Sequence, residues 1–87
     1  MEIMEEINKI TEKIIGICIR IHKNLGPGLL ERTYQQCFAY ELQKAGIKFE
    51  KEKVLPIQYE DIVIEDAYRV DFIVEDKVIV EFKSVDQ

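Results

Sequence analysis

The 87-residue sequence predicts an α+β fold in which an N-terminal helical hairpin packs on a mainly antiparallel β-sheet. Three observations carry that expectation. Isoleucines stand at positions 3, 7, 10, 14, 17 and 21, an alternating four-three spacing that marks one side of a long helix. A Gly26-Pro27-Gly28 turn separates this stretch from a second helical pattern. After Gly46 the apolar residues alternate with charges, the period-two pattern of strands.

The first helix runs from Ile3 to Ile21, and Ile15, Cys18 and Ile19 widen its stripe beyond a coiled-coil seam, so it reads as a core helix packed on a sheet. Asn24-Leu25-Gly26-Pro27 ends it, because glycine accepts the left-handed conformation and proline cannot continue the helix. Pro27 and Gly28 start the second helix, with Leu30, Tyr34, Cys37, Phe38, Leu42 and Ala45 on one face and Gly46 as its stop. Strand signals follow at Ile47 and Phe49, at Val54 to Tyr59, and at Ile62 to Ile64 before a Glu65-Asp66 break. Pro56 has no amide donor, so its strand belongs at an edge or contains a bulge. Tyr68 to Val74 and Val78 to Val85 are expected to flank a turn at Glu75-Asp76-Lys77, giving the order ααββββ in a single domain over 1–87.

Composition narrows the function classes. The longest apolar run, Ile14 to Ile19, is far short of the roughly 20 residues a membrane span needs. The acidic start, Met1-Glu2-Ile3-Met4-Glu5-Glu6, lacks the basic region of a leader, which points to the cytoplasm. Cys18 and Cys37 are too far apart for a CxxC motif and lie inside apolar patterns, as buried free thiols do. A net charge of −5 argues against a broad basic surface as the main means of binding, and leaves room for a local basic groove. A domain this small has a thin stability margin, so homo-oligomerisation through the Ile-rich first helix or an exposed sheet edge is an expected supplement.

The final hairpin carries the chemistry. A two-residue turn would mix polar and apolar side chains on both faces. A three-residue loop, Glu75 to Lys77, instead collects Val70, Phe72, Val74, Val78, Val80 and Phe82 on one face. That register pairs Asp71 with Glu81 and Arg69 with Lys83 on the other face. Two carboxylates directly across a ladder repel unless a counter-ion lies between them, and a hard divalent cation such as Mg²⁺ would resolve the repulsion. Lys83, on the same face, would stabilise charge developing on a phosphate. The same spacing also fits a solvated face whose charges compensate pairwise, and spacing alone does not choose between the two.

Leu25-Gly26-Pro27-Gly28-Leu29-Leu30-Glu31-Arg32-Thr33-Tyr34 resembles the signature of the GxxExxY proteins, through Gly28, Glu31 and Tyr34. Glu41-Leu42, Val54-Leu55-Pro56, Arg69-Val70-Asp71-Phe72 and Val80-Glu81-Phe82-Lys83 extend the likeness over nearly the whole chain. That family is grouped with the PD-(D/E)XK nucleases, so the resemblance implies a restriction-endonuclease-like core. It implies Asp71 and Glu81 as ligands of Mg²⁺ or Mn²⁺, the Phe82 carbonyl as a further ligand, and Lys83 serving the attacking water. Glu31 would complete the metal shell directly or through water. Family members usually continue into a further helix, often bearing a Gln, and a strand. This sequence stops at Ser84-Val85-Asp86-Gln87, so the expected fold is C-terminally short.

Arg69, Tyr34 and His22 are the candidates for substrate contact. His22, between Arg20 and Lys23 at the end of the first helix, reads equally as a complement to the helix dipole. Lys44, Lys48, Lys51 and Lys53 alternate with Glu50 and Glu52 in a way that mainly suits a solvated strand. The expectation is therefore a metal-dependent nuclease hydrolysing phosphodiester bonds of DNA, or of RNA. The alternative is a catalytically inactive nuclease-fold module for binding or assembly.

Overall fold

The computed structural model describes residues 2–83, and the order of elements is α1 (Glu2–Leu25), α2 (Glu31–Lys44), β1 (Phe49–Tyr59), β2 (Ile62–Val74) and β3 (Val78–Val80). The three strands form one antiparallel sheet in the order β1-β2-β3. The fold class is the expected α+β, reached with fewer and longer strands. Phe49 to Tyr59 is one strand, and so is Ile62 to Val74, because Glu65-Asp66 is not a break. The register shifts between Leu55 and Ile57, so that Pro56 alone faces the three residues Glu65, Asp66 and Ala67. Pro56 thus lies both on an edge strand and opposite a bulge, where a residue without an amide donor is tolerated. Val85, assigned from the sequence to the last strand, lies outside the described residues.

The core lies between the helical hairpin and one face of the sheet. Ile14, Ile17 and Ile21 of α1 are buried with Phe38 and Leu42 of α2 and with Phe72 and Val74 of β2. Ile15 and Ile19 do not join them: they are 52% and 51% exposed. The stripe that packs is therefore the four-three one, without the widening that the sequence suggested. At about 100° per residue, Ile15 and Ile19 point away from the Ile14/Ile17/Ile21 side that faces the core.

Both helix ends show their sequence cause. Gly46 closes α2 in a Schellman arrangement, its amide donating to Gln43 O at 3.1 Å while Ile47 N donates to Leu42 O at 2.9 Å. Ile47 and Leu42 pack in the same core, the apolar contact that accompanies this motif. Helix α2 begins later than Pro27, at Glu31, because residues 26–30 form a turn of their own. Arg20 of α1 meets Glu41 of α2 at 2.6 Å, and Lys44 reaches the same carboxylate at 3.5 Å. The Arg20 hydrogen bond, more than either nearby charge, holds Glu41 below its ordinary pKa.

Among the described residues no helix is long and apolar enough to cross a membrane.

Candidate active site

Alternation along the final hairpin decides which side chains reach the site. The pairing is Phe72 with Val80, Ile73 with Ile79 and Val74 with Val78, the register that a three-residue loop demands. Val70, Phe72 and Val74 are consequently buried, with Val78, Val80 and Phe82 packed against the same core. Phe82 is held by aromatic edges, its ring centroid 5.3 Å from that of Phe38 and 5.7 Å from that of Phe72. With Phe82 turned inward, its neighbours Glu81 and Lys83 are exposed.

Continuing the ladder would set Asp71 opposite Glu81, but β3 ends at Val80. There the Asp71 side chain takes over, its Oδ2 accepting a hydrogen bond from Phe82 N at 2.7 Å. A partly buried amide-to-carboxylate bond of this kind contributes about 1.5–3 kcal/mol. It fixes the backbone of the Glu81-Phe82-Lys83 segment to β2 beyond the last strand pair. Asp71, Glu81 and the Phe82 main chain are thereby neighbours, as the sequence register implied.

The opposite wall comes from the helical hairpin. The Tyr34 hydroxyl donates to Gly26 O at 2.6 Å and accepts from Leu29 N at 3.2 Å, so one side chain ties both ends of the α1–α2 turn. Gly26 and Gly28 adopt φ of 72° and 91° within it, a region that a side chain enters only at a cost. This turn sets Glu31 at the first residue of α2, near the positive end of the helix dipole. Between the turn and the end of β3 lies an open cleft of about 880 Å³. Glu31, Tyr34, His22, Glu81, Phe82 and Lys83 all line it.

Six of the eight residues singled out from the sequence therefore share one cleft, and Asp71 is bonded to the main chain of one of them. Arg69 is exposed on β2 and is not part of the lining. Cys18, Ile21, Pro27 and Leu29 complete the walls and make the cleft largely apolar between its charged ends. The Ile21 and Cys18 positions were legible only as core, since nothing in a helix pattern says that its last turn borders a cleft. Among the described residues no group of three or more His, Cys, Asp or Glu side chains converges as a ready metal cage.

A scan against protein families matches the PD-(D/E)XK nuclease superfamily over residues 8–87. The chain belongs to that superfamily. It is accordingly a nuclease-like protein, and nucleic acid is the class of partner that membership implies. Searches of curated proteins and of solved structures each returned no match. Superfamily nucleases generally use divalent metals, and the donors here suit a hard cation chemically: two carboxylates and a main-chain carbonyl, all oxygen.

Proposed function

We propose that this protein is a metal-dependent phosphodiesterase of the GxxExxY type, acting on DNA or RNA. The observation that supports this most is the shared cleft, which sets Glu31 across from the Glu81-Phe82-Lys83 segment that Asp71 pins to the sheet. In this reading Asp71, Glu81 and the Phe82 carbonyl hold Mg²⁺ or Mn²⁺, and Glu31 completes the shell directly or through water. When bound, such a cation supplies Lewis-acid polarisation of a phosphoryl oxygen and a nucleophilic water at neutral pH.

The chain's own residues do the rest. Lys83 donates to the attacking water and to charge building on the phosphate, from an exposed position at the mouth of the cleft. The fixed Phe82 amide keeps Glu81 and Lys83 from swinging independently. Tyr34 acts as a positioning residue, since both functions of its hydroxyl are engaged by the turn that carries Glu31. His22, which lines the same cleft, would meet a phosphate there, and Arg69 would bind substrate outside it.

A nuclease-fold module without turnover is the second reading. Two observations favour it: no three-residue metal cage converges among the described residues, and one Asp71 oxygen is engaged by Phe82 N. Cleavage of labelled single-stranded and duplex DNA and RNA in Mg²⁺ or Mn²⁺ separates the two. The enzyme reading expects cleavage by the native chain, abolished in Lys83→Ala with the circular dichroism spectrum unchanged. Cleavage that survives Lys83→Ala removes the role assigned to that lysine. Binding of nucleic acid without cleavage supports the module.

A further inference from the structure

The walls of the cleft are mostly apolar, an unusual surface for a site that is to meet phosphate. Cys18, Ile21, Pro27, Leu29, Val80 and Phe82 all line it. Leu29 is 44% exposed and Pro27 is exposed beside it, so apolar surface faces water at the mouth. Burial raises the Cys18 pKa, which keeps the thiol a neutral part of the wall. The Tyr34 hydroxyl is engaged by Gly26 O and Leu29 N, leaving its ring as the surface it offers.

Charge and shape together select the form of nucleic acid. Among the described residues, the cations lining the cleft are His22 and Lys83, beside the carboxylates Glu31 and Glu81. Strong charge-driven grip on a duplex draws on about 6–10 phosphate contacts. No such row of cations lines this cleft. Arg20, Lys44, Lys48 and Lys53 already meet carboxylates, and the chain as a whole carries a net charge of −5. A duplex also has nothing to set against apolar walls, because its bases are stacked inside and its phosphates and sugars lie outside. A single strand does, since its bases can be splayed from the backbone and laid on protein side chains. The cleft of about 880 Å³ lies in the range of sites that enclose one drug-sized molecule, and a base with its sugar is of that size.

We propose that the cleft takes the unpaired bases of a single strand, so that the substrate is single-stranded nucleic acid and not duplex. A base lies against Leu29 and Pro27, with its phosphate toward Lys83. The proposal rests on the nuclease reading and deepens it by naming the substrate class.

Fluorescence anisotropy on the native chain tests it, in low salt with Ca²⁺, a hard cation suited to the same oxygen donors. The probes are oligothymidylate, an abasic strand of equal length and a duplex of that length. The two single strands carry equal charge, so a difference between them reports the bases. Oligothymidylate should bind about tenfold or more tightly than either other probe. Leu29→Ser, whose main-chain amide still serves Tyr34, should remove most of the advantage over the abasic strand and leave the unfolding transition unchanged. Absence of oligothymidylate binding overturns the proposal, as does a duplex bound equally well. Equal affinity for the two single strands, or an advantage that survives Leu29→Ser, also overturns it and leaves the walls to another occupant, such as an apolar side chain of a protein partner. Cleavage of the same probes in Mn²⁺ separates the two readings. Single-strand binding without cleavage contradicts the nuclease reading and upholds this one, whereas duplex cleaved as fast as single strand upholds the nuclease reading and contradicts this one.

Discussion

Tyr34 shows how much one side chain organises. Its hydroxyl donates to Gly26 O and accepts from Leu29 N, so Tyr34→Phe removes two hydrogen bonds while keeping the ring. The expected cost is about 1–2 kcal/mol, read as a lower midpoint in denaturant. In nuclease terms the same variant should lose cleavage through a displaced Glu31, with less effect on nucleic-acid affinity. Unchanged stability would mean that the turn is held by its glycines alone. Asp71 offers a comparable test of geometry. Asp71→Asn keeps an oxygen able to accept from Phe82 N and should fold normally, whereas Asp71→Ala leaves that amide without its acceptor and should cost about 1–3 kcal/mol. The pairing of Asp71 with the Glu81 segment was readable from burial alone, since only one register gives the hairpin an all-apolar face, although Ile79 on the other face is half exposed. That Asp71 bonds the Phe82 main chain was not readable, because it depends on β3 ending at Val80.

At the scale of elements, α2 is fixed by Phe38 and Leu42, both fully buried, and Phe38 meets the Phe72 ring edge-on with centroids 4.9 Å apart. Phe38→Ala is expected to cost about 3–5 kcal/mol. A chain of this size has a total stability of about 5–10 kcal/mol, so thermal unfolding should begin near ambient temperature. The β2–β3 turn is held differently. Glu75 and Asp76 both adopt positive φ, 54° and 57°, which non-glycine residues take at a cost. Contacts to Lys48 offset it: Glu75 N donates to Lys48 O, Lys48 N to Glu75 Oε1, and Lys48 Nζ to Asp76 Oδ2 at 3.0 Å. The Lys48 hydrogen bond, then its charge, lowers the Asp76 pKa, and the same bond raises that of Lys48. A lowered carboxyl pKa contributes stability above its unfolded value and loses it as pH falls through the folded one. The raised lysine contributes below its unfolded value and loses it as pH climbs through the folded one. The melting difference between native chain and Asp76→Asn should thus be widest near neutral pH and close below about pH 4. Both groups are exposed, so salt should narrow it as well. A difference constant into acid would rule out the pair as its source.

Across the whole molecule, helical periodicity and the Gly-Pro-Gly turn made the hairpin of helices legible, and so was the α+β class. The strand count was less so. Glu65-Asp66 has the composition of a turn, yet a bulge opposite Pro56 absorbs it, a choice settled by pairing across the sheet and not by local preference. Ile15 and Ile19 look like core in sequence because periodicity reports apolarity and not which side of a helix finds a partner. The cleft was half legible: its residues were named, but the enclosing Tyr34 turn emerges only when α1, α2 and β3 are set together.

In the proposed function Asp71 belongs to a divalent-metal site beside this cleft. Calorimetric titration of Mn²⁺ into the native chain and into Asp71→Asn, in low salt, tests it before any substrate is known. Saturable binding to the native chain that disappears in a folded Asp71→Asn is the expected result. Absence of binding by the folded native chain, or binding that Asp71→Asn leaves intact, would contradict it.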